Sequence, residues 1–129
     1  MKSIDRLQAI NEAIWIRDNS ALISRDVLVE RLREISEYGL FSSRQLARIC
    51  NNKLSHTSIS FYIEKNSNSG GKIAPESLED VREALFSKER GSISYPHVQR
   101  ALEAGTSQNM VSKMTGINQS GISRMVSNG

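Results

Sequence analysis

From Ile4 onward, the apolar residues of this chain recur at intervals of three and four, and no stretch shows the strict alternation of a half-buried strand. That period is the strongest constraint on the fold, because it places side chains on one face of a helix and on both faces of a strand. The first segment, about Ser3 to Arg17, carries Ile4, Leu7, Ile10 and Ile14, widened by Trp15 and Ile16. The second, about Arg25 to Tyr38, carries Leu28, Leu32 and Ile35 between a serine cap at Ser24 and a left-handed stop at Gly39. Short segments follow at about Ser43 to Cys50 (Leu46, Ala47, Cys50) and His56 to Glu64 (Ile59, Tyr62, Ile63, with Ser55 as cap). A fifth helix opens at Pro75 with Glu76, Glu79 and Asp80 near its positive end and Leu78, Val81 and Leu85 inward. Three more are expected: Pro96 to Gly105, about Ser107 to Thr115, and about Gln119 to Ser127. The fold class is therefore all-α, with about eight short helices.

Two breaks organise the chain. Lys65 to Ala74, KNSNSGGKIA, is polar with paired glycines and reads as a mobile loop. Arg90 to Tyr95, RGSISY, reads as a domain boundary, giving an N-terminal helical unit over 1–90 and a three-helix unit over 91–129. Isolated domains below about 40 residues rarely fold alone. The second unit is therefore expected to pack against the first or to order on a ligand. The Ile4 to Ile16 stripe is wide for one small domain, so part of it is a candidate for pairing with a second subunit.

Composition excludes several classes of function. A 38% hydrophobic and 24% charged chain has the balance of a globular protein. No apolar run approaches the roughly 20 residues that span a bilayer, and charges interrupt the first 20 residues, so neither a membrane span nor a signal peptide is expected and the cytoplasm is the default. One cysteine allows no internal disulfide, and His56 and His97 are too far apart for a ligand pair, so no metal or cofactor is expected. Cys50 reads as a small buried hydrophobe. With aromatics at 5%, base stacking on exposed rings is poorly provided for. The net charge of +3 is compatible with a nucleic-acid partner without demanding one.

The most informative stretch is Gln108 to Val126, QNMVSKMTGINQSGISRMV. Val111, Met114, Ile117, Ile122 and Met125 are its apolar positions. Ser112 is a small residue where two helices would approach. Gly116 falls where the chain must reverse, a place where positive φ costs glycine little. Asn118 can cap the helix that follows. This pattern resembles the helix-turn-helix of phage repressors and of the lac-repressor family, with serine at 112 where alanine is more usual. Together with HVQRALEAGTS before it, the segment is also similar to the three-helix DNA-binding domain that ends resolvases and invertases. The resemblance covers roughly residues 96–129.

What it implies is a sequence-specific double-stranded DNA-binding regulator that is not an enzyme, with the last helix in the major groove. Gln119, Ser120, Ser123 and Arg124 would meet base edges, glutamine suiting adenine and arginine guanine. Gly121 would let the backbone sit close to the DNA, and Lys113 would contact phosphate. Ser43 to Ile63 repeats the theme with a longer turn, NNKLS, in which Asn51 or Asn52 could take the left-handed conformation. Here Ile73, Pro75 and Glu76 are similar to the segment after the recognition helix in the lac-repressor family. Candidate base contacts are His56, Thr57, Ser58 and Ser60; candidate phosphate contacts are Arg44, Arg48, Lys53 and Lys65.

The size is similar to that of phage immunity repressors, which implies a repressor working at the nucleoid of a bacterial cell or phage-infected host. A homodimer could place equivalent heads roughly 34 Å apart. Other readings stay open: a DNA-packaging subunit similar to small terminases, a recombination accessory protein, or a helical bundle that binds protein and no DNA. A recombinase itself would need a catalytic domain for which no segment has room.

Overall fold

Four serines start helices by the same chemistry. Ser24, Ser42, Ser55 and Ser107 each sit in extended backbone and accept a hydrogen bond from the N–H three residues on, at Val27, Gln45, Ser58 and Met110. Each satisfies one of the donors that a helix start leaves unpaired. At Ser42 the bond is reciprocated, since the Gln45 side chain accepts from the Ser42 N–H at 2.8 Å.

The computed structural model describes residues 2–63 and 71–128. Among the described residues it is all-helical, with no strand and eight α-helices. These are α1 (Ser3–Asn19), α2 (Arg25–Ser36), α3 (Ser43–Ile49), α4 (His56–Tyr62), α5 (Leu78–Glu89), α6 (Tyr95–Ala104), α7 (Gln108–Thr115) and α8 (Gln119–Asn128). The helix expected to open at Pro75 does so as a single 3-10 turn, Pro75–Ser77, before α5. Residues 64–70, which hold Lys65 and most of the expected loop, lie outside the described residues.

Most of the α1 stripe faces the interior of the chain, while Ile4 at its start is exposed. α1 is packed by α2, α3, α5 and α7, so several of its sides face neighbours. Ala9, Ile10, Ala13 and Ile16 are buried, while Leu7, Ile14 and Trp15 pack on the same cluster from its edge. The Trp15 ring is covered by the Arg31 guanidinium at 4.2 Å, which is itself paired with Glu12 at 3.1 Å. Cys50 is buried, as a small hydrophobe would be.

The core does not divide at Arg90 to Tyr95. One buried cluster runs from Ala9 through Leu46, Ile59 and Leu85 to Val98, Met114 and Ile122. α5 carries it across the break, packing on α1 on one side and on α6 and α7 on the other. The C-terminal helices thus share the apolar burial that so short a segment could not supply for itself.

A buried polar junction crosses the same region. The Ala74 N–H donates to Thr106 Oγ1 at 2.9 Å, and the Ser77 hydroxyl lies 2.6 Å from that oxygen and donates to the Ala74 carbonyl. At the end of α1, Arg17 forms a two-pronged pair with Glu79 and also donates to the Pro75 carbonyl at 2.8 Å. The Arg17 guanidinium holds the Glu79 carboxyl below its ordinary pKa. A carboxylate stabilised in the folded state adds stability above its unfolded pKa and loses it as pH falls through the depressed folded value. Glu79 is half exposed, so the pair is worth at most about 1 kcal/mol. Urea titrations at pH 7 and pH 3 are expected to show Glu79→Gln less stable than wild type at pH 7, with the gap closing at pH 3.

Candidate nucleic-acid interface

α7 ends on Gly116, whose φ of +77° is in the left-handed region that glycine enters most easily. Two further residues complete the turn, and α8 begins at Gln119. Several polar groups of this corner bond to one another. Ser112 Oγ donates to the Ile117 carbonyl at 2.6 Å, and the Ile117 N–H donates to Thr115 Oγ1 at 3.1 Å. Asn118 Oδ1 accepts from the Ser120 N–H at 3.3 Å, capping α8. Ile122 is fully buried against α7, and Tyr95 on α6 donates its hydroxyl proton to the Met125 carbonyl at 2.7 Å, fixing the far end of α8.

The carbonyls that end α7 are met by two cations from elsewhere. Lys88 on α5 donates to the Gly116 carbonyl at 3.0 Å, and Arg6 on α1 donates to the Lys113 carbonyl at 3.1 Å. Cations are favoured at this end of a helix by its dipole and by its unpaired acceptors.

With its inner side fixed, α8 turns Gln119, Ser120 and Arg124 outward, all three exposed. Gly121 has no neighbour within 4 Å of where a Cβ would stand. Ser123 departs from the expectation. It is half-buried, and its hydroxyl donates to Gln108 Oε1 at 2.9 Å, bracing α8 on α7. Lys113 is also half-buried, and burial pushes its ammonium pKa below the usual lysine value.

In the other helix pair, Asn51 and Asn52 both take positive φ, +55° and +59°, where α7 uses one glycine. His56, Thr57 and Arg44 are exposed. Ser58 and Ser60 spend hydroxyl bonds locally, Ser58 with Ser55 at 3.1 Å, Ser60 with Ser43 at 3.1 Å and with the His56 carbonyl at 2.9 Å. Lys53, expected to contact phosphate, is exposed and has partners within the chain. Its ammonium donates to the Ser20 carbonyl at 2.6 Å and to that of Ile23, so it caps the chain leaving α1. Arg48 donates from Nε to the Ile73 carbonyl at 3.0 Å.

The sequence pattern missed a strap over residues 71–74. Gln45 Nε2 donates to the Gly71 carbonyl at 2.6 Å, and the Ser107 N–H donates to the Lys72 carbonyl at 3.0 Å. The strap thereby joins α3 to the start of α7. It forms one wall of a cleft of about 520 Å³ lined in part by Arg44, Arg48, His56 and Lys72, with no acidic residue in its lining. Backbone carbonyls bonded by residues distant in sequence leave no mark in hydrophobic periodicity. The glycine at 71 is the trace they do leave, since a Cβ there would stand 2.5 Å from Ser107 Oγ.

Among the described residues no group of His, Cys, Asp and Glu gathers as a metal site would require, and no helix is long and apolar enough to cross a membrane. No known protein family, curated protein or solved structure matches the chain.

Gly116→Ala is expected to cost about 1–2 kcal/mol, the penalty of left-handed backbone for a residue with a Cβ. Part of the loss comes from Lys88, whose Nζ lies 2.7 Å from the new methyl position. The check is a shift of the urea midpoint with an unchanged slope.

Proposed function

We propose that this protein is a sequence-specific double-stranded DNA-binding transcriptional regulator of the repressor kind, with α7, its turn and α8 acting as a helix-turn-helix. The observation that carries the reading is the presentation of α8. Its inner side is pinned by Ile122, by the Tyr95 bond and by the braced turn, while Gln119, Ser120 and Arg124 project away from the core. A helix held this rigidly can enter a major groove without paying to be ordered on binding.

Ser120 and Arg124, four residues apart, share one side of α8 and Gln119 stands at its first residue; the Gln119 and Arg124 side chains can each pair bidentately with a purine edge. Ser120 offers a shorter contact. Ser123, by holding Gln108, positions the helix. No step in this function is catalytic, and it calls for no cofactor. A homodimer on a two-fold related site would repeat the contact one helical turn away.

Selection of a preferred duplex from a random pool, followed by footprinting, tests the reading directly. Arg124→Ala is expected to weaken binding to the selected site by about 1–3 kcal/mol and to relax choice at one base pair. Equal affinity in wild type and variant would show that α8 does not dock through this face.

Gly121→Ala separates folding from binding. Glycine inside a helix is about 1 kcal/mol worse than alanine, and open space surrounds this one. The variant is expected to unfold at higher urea than wild type and to bind its duplex more weakly, because the added methyl stands between the helix backbone and the groove. Tighter folding with unchanged DNA affinity would place the DNA away from Gly121.

A further inference from the structure

The helix pairs α3–α4 and α7–α8 correspond at their cap, buried and brace positions. Ser42 and Ser107 cap the first helices, each accepting from the third residue on. Leu46 and Val111, Ile49 and Met114, and Cys50 and Thr115 are buried at matching positions. After turns that differ in length, Ser55 and Asn118 cap the second helices, and Ile59 and Ile122 are each fully buried as their inward anchors. The polar brace between the helices recurs as well. Ser60 reaches Ser43 at 3.1 Å where Ser123 reaches Gln108 at 2.9 Å.

This register assigns the outward positions of α4. His56 stands where α8 has Gln119, Thr57 where it has Ser120, and Phe61 where it has Arg124. Phe61 is 85% exposed, the most exposed large apolar side chain of the described residues. A ring of that size left in water gives up a large burial gain, so it is a candidate for contact with an apolar group of a partner. Phenylalanine is also among the side chains that make apolar contact with the thymine methyl in a major groove.

Phe61 itself lies near the end of α4, beside Arg33, Glu37 and Tyr62, and the basic surface of this helix pair lies at the start of α4. The cleft at the foot of α4 has Arg44, Arg48, His56 and Lys72 in its wall and no carboxylate. The strap then carries this surface to α8, because the Lys72 carbonyl holds Ser107 and the next residue, Gln108, holds Ser123. The two outward faces are therefore linked through one short run of bonded residues.

We infer that α4 is a second DNA-reading helix, that Phe61 on it recognises the 5-methyl group of a thymine, and that Arg44 and Lys72, in the cleft at the start of the same helix, contact phosphates. The inference rests on the reading of α8 given above. The duplex site is then bipartite, one segment read by each helix.

The test uses the full chain and the duplex it selects from a random pool. The expected result is two protected segments, with Arg124→Ala relaxing preference in one and Phe61→Ala in the other. Changing the contacted thymine to deoxyuridine removes one methyl, which is expected to weaken wild-type binding about fourfold, from about 0.8 kcal/mol per buried carbon group. Phe61→Ala is expected to bind the two duplexes equally. The ring is exposed, so this variant should keep the wild-type circular dichroism and melting temperature. A single protected segment that depends on Arg124 and is indifferent to Phe61→Ala overturns the inference and leaves the reading of α8 standing. If Phe61→Ala instead changes only the molar mass in solution, the ring serves contact between copies and the inference falls. If no duplex is selected at all, both readings fall together.

Discussion

Two cations reach from different helices to the carbonyls that finish α7, and the placement of α8 depends on them. Lys88 comes from α5 and Arg6 from α1, so the corner after α7 is held by the two helices at the centre of the molecule. Without such partners, a half-buried helix end would carry acceptors that neither water nor the chain satisfies fully. The same device recurs at the end of α1, where Lys53 donates to the Ser20 carbonyl and Asn51 to that of Arg17. In both places a long polar side chain from a distant part of the sequence closes a helix end. The exposed faces of α4 and α8 are thus set by contacts made well behind them.

Much of this architecture is legible in the sequence. Apolar spacing locates all eight helices, because burial selects one face and the helix period follows from that selection. Serine caps at Ser24 and Ser55, the glycine reversal at Gly116 and the asparagine cap at Asn118 are local chemistry, decided within four residues. For the same reason the outward direction of Ser120 and Arg124 can be anticipated from the inward positions of Ile122 and Met125.

What the sequence hides is long-range. Lys53 sits in a turn among candidate DNA contacts, and nothing local says that its ammonium reaches back to the chain after α1. Ser123 occupies a position that faces outward by helical phase alone, yet Gln108 lies near enough to accept its hydrogen bond. The boundary drawn at RGSISY marks a real interruption of helix, but a gap between helices is not a gap in a core. Only the packing of α5 on both sides reveals that the buried cluster continues through it. The strap at 71–74 is similarly a matter of backbone partners that lie far away in sequence.

The continuity of that cluster has a consequence for how the molecule fails. A chain whose helices share one interior has few ways to loosen one end alone, so the exposed face of α8 is available only in molecules that are folded throughout. A ligand that grips this face therefore raises the melting temperature of the whole chain, α1 and α2 included, by mass action. Conversely, a cavity made at Ile10 or Leu32, both fully buried, would lower occupancy by shrinking the competent population. Such lesions would behave as heat-sensitive defects, silent in the cold and penetrant on warming.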